Sequence, residues 1–105
     1  DDEDKWQEAG ERLRADIRAR AEEFCRSVHD AEGSLKPGAI TDAPKPEGGA
    51  PDLVVSYRGI ECAGVENAPL KLGGFCGLTM DGMKCRVEVY SFKDGAYVEA
   101  RSYLE

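Results

Sequence analysis

Cys76-Gly-Leu-Thr-Met80, Met83 through Phe92, and Ala96 through Leu104 are three apolar-polar alternating segments separated by Asp81-Gly82 and Asp94-Gly95. Asp-Gly between alternating segments is a strong hairpin signal, because a type I′ turn needs positive φ at both central residues. The stretch therefore predicts two consecutive β-hairpins, a three-stranded meander. Two-residue turns then set the register. Met80 is expected opposite Met83, Leu78 opposite Cys85 and Cys76 opposite Val87; across the second turn, Ser91 pairs with Val98, Val89 with Ala100, Val87 with Ser102 and Cys85 with Leu104.

That register collects Cys76, Leu78, Met80, Met83, Cys85, Val87, Val89, Val98, Ala100 and Leu104 on one apolar face. The other face carries Arg86, Glu88, Tyr90, Phe92, Tyr97, Glu99, Arg101 and Tyr103. Expected cross-strand pairs there are Phe92 with Tyr97, Arg86 with Tyr103 and Glu88 with Arg101.

Upstream, residues 5–29 follow a helical period. Trp6, Leu13, Ile17, Phe24 and Val28 recur at intervals of three, four or seven, with Ala9 and Ala21 in the same stripe. Glu8 and Arg12, Asp16 and Arg20, and Glu22 and Arg26 stand at i,i+4 spacing with the acid first, which suits a solvated face. The acidic start, Asp1 to Asp4, suits the positive end of the helix dipole, with Asp2 or Asp4 placed to cap it. Residues 32–52, rich in proline and glycine, read as a long crossover loop. Leu53 to Ile60 reads as a strand with Leu53, Val55 and Tyr57 on one side, and residues 61–74 as irregular, with Pro69 and Gly73-Gly74 as breakers.

The predicted fold is α+β: one domain over residues 1–105, with the helix packed on an antiparallel sheet of about four strands spanning residues 53–104. The helix is expected to cover the apolar face, leaving Tyr90, Phe92, Tyr97, Tyr103, Arg86 and Arg101 as a partner-binding surface. Tyrosine and arginine are residue types enriched at interface hot spots.

Four cysteines in a short chain, with no Cys-x-x-Cys and a single histidine, point to two disulfides in an oxidising compartment instead of a zinc site. With Cys76 and Cys85 expected on a diagonal, ~7–8 Å apart, they are too distant to bond comfortably. The remaining pairings are Cys25–Cys76 with Cys62–Cys85, which is favoured, and Cys25–Cys85 with Cys62–Cys76. The absence of an initiator methionine points to a removed upstream segment, such as a signal peptide.

Catalytic chemistry finds little support. The one histidine, His29, falls at the helix C-terminus, where it suits the dipole, and no Ser-His or Cys-His arrangement is visible. Gly-Gly-Phe-Cys-Gly at 73–77 lacks the spacing of a phosphate loop. The acidic cluster at residues 1–4 lacks the spaced oxygen ligands of an EF-hand. No cofactor is implied. A net charge of −7 argues against nucleic acid and anionic membranes and is compatible with a basic protein partner. No apolar run is long enough to span a membrane.

The function expected is therefore non-enzymatic: a small secreted or periplasmic binding protein, such as a bacterial inhibitor or immunity-type protein. The alternative is a structural subunit of a pilin-like or envelope assembly. A helix on a curved sheet resembles the cystatin-like arrangement, and a helix followed by a meander resembles a pilin globular domain. The chain carries neither a Gln-x-Val-x-Gly motif nor an apolar N-terminal half-helix.

Overall fold

A computed structural model describes residues 2–68 and 75–105. The fold is α+β. Helix α1, Asp2–His29, opens the chain. It is followed by β1 (Gly33–Leu35), β2 (Ile40–Ala43), β3 (Asp52–Ser56), a 3₁₀ turn (Tyr57–Gly59), β4 (Ile60–Cys62), β5 (Cys76–Thr79), β6 (Gly82–Lys93) and β7 (Ala96–Leu104). Asp2, Glu3 and Asp4 lie inside the first helical turn, where carboxylates complement the dipole.

Among the described residues the main sheet has five strands, close to the about four expected, all antiparallel. Its order runs β2-β3-β6-β5, with β7 also paired to β6. The loop expected over residues 32–52 contains two strands: β2 adds to the main sheet, and β1 pairs with β4 in a small second sheet. The breakers Pro69 and Gly73-Gly74 lie outside the described residues.

Helix α1 runs along β6 in the opposite direction: Arg12 reaches the Gly95 carbonyl at the β6–β7 turn, Arg20 reaches Glu88, and Phe24 meets Phe75. Its buried stripe, Leu13, Ile17, Ala21 and Cys25, packs on Leu53, Val55, Tyr57 and Tyr90. Each large aliphatic side chain fully buried this way contributes ~1.5–3 kcal/mol. Gly33 lets β1 sit against the helix backbone, since a Cβ there would lie 2.7 Å from the Ala21 carbonyl carbon and 2.9 Å from the Glu22 Cα.

The covered face is the opposite of the one expected. Leu53 pairs with Tyr90 and Val55 with Glu88, so the β6 face turned toward the helix is the one that carries Arg86, Glu88, Tyr90 and Phe92, with Tyr90 in the core. The physical reason is that tyrosine has an apolar body and a polar tip. Strict alternation counts it as polar, yet its ring fills the deep space between helix and sheet once the hydroxyl finds a partner. The valine face, with Val54, Val87 and Val89, looks away from the helix.

Both hairpins form, with one register change in each. Asp94 (φ 51°) and Gly95 (φ 86°) make the second turn as expected, and Phe92 stands opposite Tyr97. Farther along, Tyr90 pairs with Glu99 but Val89 pairs with Arg101, so Ala100 is an extra residue in a β-bulge. Beyond it the expected partners slip by one: Val87 meets Tyr103, Glu88 meets Ser102 and Arg86 meets Leu104.

In the first hairpin the loop residues are Met80 and Asp81, and Gly82 (φ 104°) supplies the positive φ one position later than a type I′ turn requires. The Thr79 hydroxyl stabilises this turn, accepting from the Asp81 N–H at 3.2 Å and donating to the Gly82 carbonyl at 2.7 Å. Leu78 therefore faces Met83, and Cys76 faces Cys85.

Candidate functional site

The register of the first hairpin corrects the disulfide pairing. Cys76 and Cys85 stand directly opposite, with Cα atoms 4.0 Å apart, and are bonded to each other. The other bond joins Cys25 on α1 to Cys62 on β4, Cα atoms 5.3 Å apart. Cys25–Cys76 and Cys62–Cys85 do not form; the turn sits one position earlier than expected, which shifts the β5–β6 pairing by two residues and turns a diagonal pair into a direct one.

The six residues expected to share one exposed face are divided between two. Tyr90 is buried, and its hydroxyl donates to Glu88 Oε1 at 2.9 Å. Arg86 donates from Nε to Glu88 Oε2 at 2.8 Å and from a terminal nitrogen to Glu99 at 3.2 Å. Phe92 and Tyr97 pack with ring centroids 5.6 Å apart, and the Tyr97 hydroxyl donates to the Pro51 carbonyl at 2.9 Å. The bulge at Ala100 puts Arg101 and Tyr103 on the opposite face, where the guanidinium lies 5.5 Å from the ring centroid. These six residues therefore form no continuous Tyr/Arg patch.

Glu88 is the residue that sequence reasoning undervalued. Only 4% exposed, it also accepts from the Tyr57 hydroxyl at 2.7 Å and pairs with Arg20 at 3.5 Å. Burial alone would raise its carboxyl, but hydrogen bonds from Arg86, Tyr57 and Tyr90 outweigh that and hold it below the usual carboxylate range. Burial, followed by the bond to Glu88, pushes the Tyr57 hydroxyl well above the usual phenol range, and Tyr90 shifts the same way. Every acceptor position is aimed inward at fixed donors, so the cluster ties helix to sheet. Among the described residues no group of three His, Cys, Asp or Glu side chains could hold a metal ion.

Exposed apolar side chains lie elsewhere: Val28 on the helix, Val98 and Leu104 on β7, and the two most exposed at the end of the β5–β6 hairpin. Leu78 is 78% exposed and Met80 fully exposed, both expected beneath the helix. The same hairpin borders a groove of about 560 Å³ lined, among the described residues, by Lys36, Arg58, Ile60, Val65, Leu78 and Met83. Arg58 fixes one wall by donating to the carbonyls of Met83 at 2.9 Å and Glu105 at 3.0 Å.

Three features give this hairpin a braced frame with apolar side chains on its surface. Its strands are held in register by the Cys76–Cys85 bond, its turn by Thr79, and its apolar side chains project from a fixed frame. Methionine adds an adaptable, polarizable surface suited to a partner's irregular pocket. Leu78 and Met80 were legible as apolar but not as exposed, because their exposure follows from where the helix lies.

No family model, no curated protein and no solved structure matches the chain.

Proposed function

We propose that the chain is a small exported, non-enzymatic protein-binding domain of inhibitor or immunity type, which engages its partner through the β5–β6 hairpin. The carrying observation is the exposure of Leu78 and Met80 on a hairpin braced at its base by a disulfide. A contact loop rigid before binding loses less conformational entropy on binding, so more of its apolar burial appears as affinity. Export is supported by the pairing of all four cysteines, since disulfides persist in oxidising compartments. Among the described residues no helix is long and apolar enough to cross a membrane. The net charge of −7 favours a basic protein partner, steering encounter before the apolar tip docks.

The test is capture of binding proteins from an envelope fraction by the immobilised domain and by a Leu78→Ser/Met80→Ser variant. Both side chains point into solvent, so the variant should keep its thermal midpoint while losing specific capture by tenfold or more. Equal capture by the two proteins would remove the hairpin as the contact site.

A further inference from the structure

The two disulfides sit in unlike surroundings. Cys25 and Cys62 belong to the buried core, one on the helix and one on β4. Cys76 is half-buried on an edge strand whose other residues, Gly77 through Thr79, are exposed, while its partner Cys85 is 1% exposed on the central strand. Of the two bonded residues, Cys76 is the more accessible to an incoming thiolate.

The Cys85 side is anchored through its backbone. Cys85 exchanges both backbone hydrogen bonds with Glu105 at 3.0 Å, and Arg58 donates to the carbonyls of Met83 and of that same Glu105. Arg58 thus ties the strand segment that carries Cys85 to the end of the chain segment paired with it.

We propose that Cys76–Cys85 is a thiol-exchangeable staple: a dithiol reductant opens it selectively, releasing β5 and switching off the hairpin, while Cys25–Cys62 and the rest of the fold remain intact. In the first step a thiolate of the dithiol attacks Cys76 Sγ, forming a mixed disulfide and expelling Cys85 as thiolate, which takes up a proton. The second thiol then attacks its own sulfur in the mixed disulfide and releases Cys76. Two electrons and two protons pass from the dithiol to the cystine, and the dithiol becomes a disulfide.

The structural consequence follows from β5's few supports. Among the described residues it pairs with β6 alone, over four residues, and an isolated two-stranded hairpin is only marginally stable in water. Strands β3 and β7 hold the remainder of β6 on both edges. Reduction therefore loosens one strand and leaves the sheet. That this loosening controls binding rests on the proposed role of Leu78 and Met80; the selectivity of reduction does not.

The test is a dithiothreitol titration of the folded protein, quenched with an alkylating reagent and mapped by mass spectrometry, with amide hydrogen exchange on the same samples. Cys76 and Cys85 should be labelled at reductant concentrations at least tenfold below those that label Cys25 and Cys62. Amides of Gly77 and Thr79 should then lose protection by tenfold or more while those of β3 and the helix keep theirs. Simultaneous labelling of all four cysteines, or Cys25 and Cys62 first, would overturn the proposal, as would selective reduction with unchanged protection in β5. A Cys76→Ser/Cys85→Ser variant provides the control, matching the selectively reduced protein in exchange pattern. If Leu78→Ser/Met80→Ser keeps full capture while reduction is still selective, the binding role fails and the exchangeable staple stands. If that variant loses capture but selectively reduced protein retains it, the binding role stands and the switch fails.

Discussion

Glu88 holds four donors: two tyrosine hydroxyls on one oxygen with Arg20 beside them, and Arg86 on the other. Its carboxyl lies below the ordinary value of 4.5, so the unfolded chain binds this proton more readily than the folded one. Folding stability from Glu88 is therefore fully present above about pH 4.5 and is lost as pH falls through the lower folded value. Denaturant melts between pH 7 and pH 3 should show this fall, and Glu88→Gln should flatten it. Tyr57 and Tyr90 have the opposite sign: their folded values are raised above 10, so their stabilisation is complete below about pH 10 and declines above it. Tyr57→Phe keeps the buried ring but deletes a hydrogen bond to a charged acceptor, and urea melts should show a loss of about 1.5–3 kcal/mol. None of this cluster was visible as a cluster in the sequence. Glu88, Tyr90 and Arg86 do occupy one face by alternation, but Tyr57 and Arg20 join them only through the β3 pairing and the helix placement.

Among the elements, α1 was the most legible, because a stripe at helical period names its own buried side: Leu13, Ile17 and Ala21 are core residues. The second turn was equally legible, since Asp94 and Gly95 both adopt the positive φ that Asp-Gly permits. The first Asp-Gly is used differently, with only Gly82 at positive φ and Met80-Asp81 as the loop. Local sequence does not distinguish these uses, and one residue of difference decides whether Cys76 meets Val87 or Cys85. The Ala100 bulge has no signature in composition either, yet it sends Arg101 and Tyr103 to the face away from the helix. The β1–helix contact gives a sharper test. Gly33→Ala places a methyl against the helix backbone at Ala21 and Glu22, which cannot yield as a side chain would. Thermal melts should show a loss of about 1–3 kcal/mol, the range for overpacking a tight contact.

At the scale of the molecule, the two disulfides constrain different things. Cys25–Cys62 closes a separation of 37 residues between helix and sheet, whereas Cys76–Cys85 closes 9 residues within one hairpin. Loop-closure entropy assigns ~3.8 kcal/mol to the first and ~2.6 kcal/mol to the second. Replacing Cys25 and Cys62 by serine should therefore lower the thermal midpoint more than replacing Cys76 and Cys85, as calorimetry of the two double variants would show. The sequence by itself determined the local geometry: an amphipathic helix, a meander with two turns, and enough paired thiols for two disulfides. Periodicity and turn chemistry are properties of neighbouring residues and need no tertiary information. Only the tertiary structure decided which sheet face the helix covers, which cysteines meet, and that the hairpin tip carrying Leu78 and Met80 faces solvent. Those outcomes depend on the β3–β6 register and on buried tyrosine hydroxyls finding Glu88, interactions between segments about 30 residues apart that no local pattern encodes.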